Sequence, residues 1–340
     1  MPRLVAAPDK LRGTATAAEA AVAMAAGAKR CGWACDLAPV SDGGEGLLEV
    51  LGGANRTSRV SGPDGRRVDA RWLLDGTTAV IESAEAAGLA VVGGAEGNDP
   101  MTATTRGVGE LILEAVRGGA KRITVGLGGS ASTDGGQGCL EAIGNPARLG
   151  GVRLVVACDV ETGFVEAARE FAPQKGASPA QVALLERRLE RLASDYLAEH
   201  SIDVTTLLRA GAAGGLAGGL AAIGARLVSG FDLVADSTGL AELVAGADLV
   251  VTAEGFVDSQ SFAGKAVGGV VELAREAGVP ALVIAGAVDD EVRHLDVGAT
   301  VISLVDRFGE SRAFDDALAC IEAVVTTYLT RHGPPHPPED

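Results

Sequence analysis

The segment Arg122–Gly144, RITVGLGGSASTDGGQGCLEAIG, leaves this chain few folds to choose from. Ile123, Val125 and Leu127 alternate as a strand, a glycine-rich loop carrying Ser130, Ser132, Thr133 and Asp134 follows, and a helix opens near Gly138. A strand that feeds a helix through glycines belongs to a layered α/β protein. Backbone N–H groups at such a helix N-terminus converge on one spot, and the helix dipole adds partial positive charge there. The spot suits an anion, phosphate above all. Only glycine lets the backbone turn at positive φ and approach a ligand closely. Neither G-x-G-x-x-G nor the Walker Gly-Lys-Ser/Thr is present. Spacing alone therefore leaves two readings open, a ligand loop and a bare strand-to-helix connection.

At 340 residues the chain exceeds what one core of roughly 250–300 residues organises, which predicts two domains. With 48 glycines and 3 % aromatics, packing relies on close backbone approach, which favours α/β layers over a β-sandwich. The formal charge is −16, and no Lys/Arg cluster alternates with aromatics. Nucleic acid and anionic membrane are therefore not expected partners. No strongly apolar run approaches the ~20 residues of a membrane span, and MPRLVAAPDK lacks a signal-peptide pattern. Five dispersed cysteines without a C-x-x-C pair read as buried thiols in a reducing, cytoplasmic setting. No histidine accompanies a G-x-S-x-G motif, so acid–base chemistry falls to carboxylates or lysine rather than a hydrolase triad. An anionic substrate needs specific cations against this negative field; Arg12, Arg106, Lys175 and Lys265 stand in motif-like stretches.

In chain order, residues 3–8 read as a strand, Asp9–Thr14 as a loop and Ala15–Lys29 as a helix capped by Thr14 or Thr16. The loop Ser41-Asp42-Gly43-Gly44-Glu45-Gly46 holds more carboxylate than a turn requires. From Arg56 the texture becomes an antiparallel meander with turns at Pro63-Asp64-Gly65 and Asp75-Gly76. Asp99-Pro100 has the form of a helix start. Arg153–Ala157 reads as a buried strand ending at Asp159, a magnesium ligand or a helix cap. Pro179–Glu199 reads as a surface helix with Leu184, Leu185, Leu189 and Leu192 on one stripe. Gly211–Ala225 is a second glycine-rich stretch, either a nucleotide loop or a closely packed helix. After Ala247 the α/β rhythm returns: strand 248–252, polar loop 253–261, then a helix after Lys265. The alternation at both ends predicts a doubly wound domain from both termini with a second domain inserted.

Taken together, APDKLRGTATAAEA, PVSDGGEGLLEVL, AVIESAEAAGL, the stretch from Thr105 to Gly144, VACDV, PQKGA, GAAGGLAGGL and ADLVVTAEGFVDSQSFAGKAVGGVVELA resemble the bacterial glycerate kinase family. The resemblance runs in the family's order over almost the whole chain. It implies an α/β fold of two domains: a flavodoxin-like doubly wound parallel sheet built from 1–57 and 246–332, and an inserted mixed α/β domain at 58–245. It also implies an active site in the cleft between them, use of ATP and Mg2+, and D-glycerate phosphorylated to 2-phosphoglycerate. A disordered tail is expected over 333–340, and both a monomer and a homodimer are compatible. The family's usual Phe-Lys-Gly is here Leu11-Arg12-Gly13, and Ala253 stands for the first glycine of Thr-Gly-Glu-Gly. The connection after Gly144 is short, and Glu161–Phe164 departs from the usual Asn-Pro-Leu.

Phosphoryl transfer chemistry assigns roles on that frame. Gly128, Gly129, Ser130, Thr133, Gly135 and Gly136 are expected at the phosphates, and Asp134 and Asp159 at magnesium. Lys175 adds positive charge, Arg12, Arg106 and Lys265 bind substrate, and Asp42 orients or deprotonates the hydroxyl with Glu45 in support. A kinase for another small hydroxy acid and a non-catalytic sensor on the same fold are the alternatives.

Overall fold

The computed structural model describes residues 1–262 and 265–333. Apart from Gly333, the tail expected to be disordered lies outside the described residues. Among the described residues run β1 (Arg3–Ala6), β2 (Ala34–Leu37), β3 (Arg56–Ser61), β4 (Arg67–Asp75), β5 (Thr78–Glu82), β6 (Arg122–Gly126), β7 (Arg153–Ala157), β8 (Arg226–Val228), β9 (Leu249–Val257), β10 (Ala281–Val288) and β11 (Thr300–Ser303). The chain forms two compact units, one of Met1–Asp42 with the chain from Phe231 onward, the other of Gly43–Gly230. Both divisions precede the boundaries drawn from the sequence. Glu82 at the end of β5 accepts from the N–H groups of Gly46 and Leu48 at 3.0 and 2.7 Å, which ties that early segment to the inserted unit. Helix Leu240–Ala245 packs on helix Ala266–Ala277 and so belongs to the other unit.

The first unit is a five-stranded sheet, β2-β1-β9-β10-β11, parallel throughout. Counted within the unit this is the order 2-1-3-4-5, the flavodoxin-like doubly wound arrangement. Its central strands β1, β9 and β10 carry near-continuous apolar runs, because both faces are covered there. Leu4, Leu249, Val251, Leu282 and Ile284 pack with Met24, Ile321, Val324 and Val325 of helices Ala17–Arg30 and Ala317–His332. Thr16 caps the first of these helices in a reciprocal box with Glu19.

The second unit is a six-stranded mixed sheet, β3-β4-β5-β6-β7-β8, antiparallel from β3 to β5 and parallel from β5 to β8. Ile81, Ile123, Val125 and Val156 form its core with Leu111, Ile112, Leu216 and Leu220. A smaller core of Phe164, Leu185, Leu189, Leu192 and Tyr196 sits under helix Pro179–His200. Leu184, expected on that stripe, is exposed. The buried stripe is Leu185, Leu189, Leu192 and Tyr196, spaced four, three and four residues apart.

Two element boundaries differ from the sequence reading. Asp99 closes a turn through Met101 N–H and the Thr102 hydroxyl, and the helix starts at Arg106 with Thr105 before it. β9 continues through the stretch read as polar loop, because Phe256 and Val257 pair with Ala287 and Val288 of β10.

Candidate functional site

Strand order in the first unit fixes where a ligand has room. In an open α/β sheet the crevice lies beyond the carboxyl ends of the strands where the order reverses, here between β1 and β9. A pocket of about 460 Å³ lies there, lined by Asp9, Lys10 and Arg12 after β1, by Asp42, by Glu254 and Phe256 of β9, and by Lys265 before helix Ala266–Ala277. Lys10 Nζ stands 3.7 Å from Asp9 Oδ1 and 3.5 Å from Asp42 Oδ1. Asp9 is 4 % exposed. Burial pushes its carboxyl up to about 7 against the pull of Lys10, and the Asp42 charge adds to the rise. Burial also raises Glu254, opposed by the hydroxyl of Ser261 and the charge of Lys265. Phe256 and Phe314, both more than half exposed, supply an apolar wall.

In the second unit, the β6 strand runs out at Gly126 and the loop Gly128–Gly136 leads into helix Gln137–Ile143. The loop is stitched along one edge to the segment after β5: Leu89 N–H donates to Gly129 O at 2.7 Å, and Ala131 N–H to Ala87 O at 2.9 Å. Gly129 has φ +55°, and a Cβ there would fall on the Glu45 carboxylate. Gly135, at φ +65°, is hemmed in by Leu192, Leu189 and Phe164. Lys175 reaches the loop from below, donating to Ser130 Oγ at 2.9 Å and to Ser132 O at 2.6 Å. Burial pulls its ammonium down to about 7, with the Asp134 charge opposing. Ser83, Ser132 and Thr133 are fully buried, and their hydroxyls have no partner among the described residues. Such groups are costly unless something bonds them.

Residues 4–147 and 145–331 match the Glycerate kinase family. The chain is 38 % identical over 330 residues to the Glycerate 2-kinase of Escherichia coli K12, an alignment that spans 85 % of this chain and 86 % of that one. It is 44 % identical over 301 residues to an uncharacterized protein of Mycobacterium bovis, spanning 84 % and 79 %. A crystal structure assigned to glycerate kinase 2 of Salmonella typhimurium LT2 shares the fold with a TM-score of 0.80 at 31 % identity, covering 97 % and 98 % of the two chains. The chain belongs to the glycerate kinase family. Within that family it is a kinase enzyme on a mixed α/β fold of two units.

Against this family frame, the expected site residues separate by their surroundings. Arg12, Asp42 and Lys265 share the first unit's pocket. Gly128, Gly129, Ser130 and Thr133 form the loop of the second, with Glu45 against Gly129 and Lys175 beneath. Among the described residues, the N–H groups of Gly128, Gly129 and Ser130 donate to no protein acceptor. Those of Gly135 and Gly136 are already used, by Gly214 O and Asp134 Oδ1. For the expected phosphate contact these two glycines would first have to release those bonds. Asp134, expected at magnesium, has both carboxylate oxygens engaged by the protein. Its Oδ2 accepts from Thr105 N–H, the Thr105 hydroxyl and Gly138 N–H at 2.8, 2.9 and 3.2 Å, and it is 6 % exposed. Arg106, expected at the substrate, lies along its own helix 3.4 Å from Glu110. Asp159 follows β7 by two residues, half-buried, and accepts from Gly230 N–H at 2.7 Å. The second glycine-rich stretch packs on the loop, since a Cβ at Gly214 would strike the Ser132 carbonyl.

Asp9, Lys10 and Glu254 belong to the pocket but were not among the expected site residues. Their signal was position, each standing at or just beyond the carboxyl half of a strand flanking the switch point. No comparable signal marks the unpartnered hydroxyls, whose burial depends on distant segments.

Proposed function

We propose that this chain transfers the γ-phosphoryl group of ATP to the 2-hydroxyl of D-glycerate, forming 2-phosphoglycerate. The reading is carried by the pocket at the flavodoxin-like switch point, where Lys10, Arg12 and Lys265 meet Asp42 in an otherwise strongly acidic protein. Arg12 holds the glycerate carboxylate, in a bidentate pair where geometry allows, and Lys265 and Lys10 add charge. Asp42 accepts the proton of the attacking hydroxyl. The new O–P bond forms as the bond from the γ-phosphorus to the β–γ bridging oxygen breaks, and ADP leaves. Family membership supports ATP as donor. The Gly128–Thr133 loop, with its unused N–H groups and unpartnered hydroxyls, suits the phosphates, and Glu45 steadies it.

Among the described residues no three His, Cys, Asp or Glu side chains gather into a cation cage. Magnesium in kinases is held by one or two carboxylates and by the substrate phosphates. That donor set fits this chain, with Asp159 as the carboxylate offered. When bound, the ion neutralises charge on the phosphate oxygens.

A coupled assay for ADP release with D-glycerate, followed by NMR of the product, tests this reading. Turnover with phosphate on the 2-oxygen is expected. Phosphate on the 3-oxygen overturns the regiochemistry, and no ADP release above the background without glycerate overturns the substrate. Asp42→Asn is expected to lose about 10²–10⁴ in kcat, and near-full activity in that variant would remove Asp42 as the base.

A further inference from the structure

A buried ammonium without an anionic partner requires a physical reason. Lys175 is 3 % exposed and closes the short turn Pro173–Lys175. Its two recorded acceptors, Ser130 Oγ and Ser132 O, are both neutral. Among the described residues no carboxylate lies within ion-pair distance of Nζ. Asp134 is the charged group whose field reaches it, yet that carboxylate is already engaged by Thr105, Gly136 and Gly138. Tyr196 and Cys139 lie in the field of Asp134, and burial pushes both well above neutrality, so neither changes charge around pH 7.

The same lysine fixes the polarity of the loop. An ammonium has donors only, so its N–H occupies a lone pair of Ser130 Oγ and leaves the Ser130 O–H to donate. That O–H has only a long 3.4 Å contact to Ser132 O, a carbonyl that Lys175 already holds at 2.6 Å. The Ser132 and Thr133 hydroxyls beside it are unpartnered. The N–H groups of Gly128, Gly129 and Ser130 add donors on the same segment. An unprotonated amine has a lone pair of its own, which can accept the Ser130 proton and withdraw that donor.

We propose that Lys175 is a positioning residue whose ammonium form sets the Gly128–Thr133 loop as an all-donor cradle for a nucleotide phosphate, so that nucleotide binding is coupled to proton uptake at Lys175. The proposal rests on the reading of this loop as the phosphate site. Electrostatics point the same way, since burial brings the Lys175 amine down to about 7.

The experiment is calorimetric titration of the full-length protein with the magnesium complex of a non-hydrolysable ATP analogue. It is run at pH 6.0 and pH 8.0 in two buffers of different ionisation enthalpy. A group titrating near 7 is about nine-tenths charged at pH 6 and about nine-tenths neutral at pH 8. Uptake at Lys175 is therefore expected to rise from near zero to nearly one proton per site, with affinity about tenfold weaker at pH 8. Lys175→Met, run in parallel, is expected to lose the uptake at pH 8 and reports the nucleotide's own protonation. Asp9→Asn, run beside it, is expected to keep the uptake, and its loss in that variant would assign the proton to Asp9 instead of Lys175. Equal affinity and buffer-independent heat at both pH values overturn the role of Lys175 and leave the phosphate loop standing. Absence of analogue binding at either pH overturns the loop reading and this inference together.

Discussion

The first unit's pocket and the second unit's loop solve opposite problems of charge. In the pocket, six ionisable side chains of both signs share one cavity, and Lys10 already stands between Asp9 and Asp42. In the loop, one ammonium is buried among neutral acceptors. Desolvation acts on both and drives Asp9 up and Lys175 down, each to about 7. The pocket has its compensation built in, whereas the buried ammonium at the loop has only neutral acceptors. A carboxylate and an amine with similar titration points can thus report contrary circumstances.

The contrast breaks most readily at the two aspartates. Asp134→Ala leaves buried donors of Thr105, Gly136 and Gly138 unsatisfied, and chemical denaturation is expected to show a loss on the order of 3–5 kcal/mol. Asp42→Asn is expected to change stability by less than about 1 kcal/mol while removing most turnover. Comparable losses of stability would erase the distinction. Next come two glycines. Gly135→Ala meets both positive φ and the side chains of Leu192 and Phe164, for about 2–4 kcal/mol in all. Gly13→Ala has positive φ but nothing within 4 Å of its Cβ, for about 1–2 kcal/mol.

The pH dependence sharpens the comparison further. Asp9 has a folded pKa above its unfolded value, so its contribution is present below about pH 4 and is lost as pH rises through 7. Asp9→Asn is therefore expected to gain on wild type in denaturation curves taken from pH 4 to pH 8. Lys175 has a folded pKa below its unfolded value of about 10.5, so its contribution is present above that value and is lost as pH falls through 7. Lys175→Met gains in the opposite direction, toward acid. Arg106→Ala comes last: a half-exposed pair with Glu110 is worth no more than about 0.5 kcal/mol, and KM for glycerate is expected to stay unchanged.

What the sequence made legible was periodicity. Apolar runs such as RLVA, LVVTA and ALVIA marked the parallel sheet, and the alternation around Arg67–Glu82 marked the meander. Long-range partners were not legible. Asp99-Pro100 looked like a helix start because its local chemistry is that of one, yet Thr104 N–H bonds Pro63 O and Thr105 bonds Asp134, which delays the helix to Arg106. Asp134, Gly135 and Gly136 looked like ligand groups for the same reason. Their contacts with Thr105, Gly214 and Phe164, distant in the chain, were not readable from that local pattern. Arg12, Asp42 and Lys265 line one pocket because the loops that carry them follow strands at the switch point of the sheet.

The sheet order of the first unit also governs how the chain is made. β1 lies between β2 and β9, and β9 begins only at Leu249. A growing chain therefore emerges with β1 paired on one edge and bare on the other while the whole of Gly43–Gly230 is synthesised. Unpaired edges and exposed apolar faces invite aggregation. Until the chain has been made through β9, which begins at Leu249, the sheet of the first unit cannot close around β1.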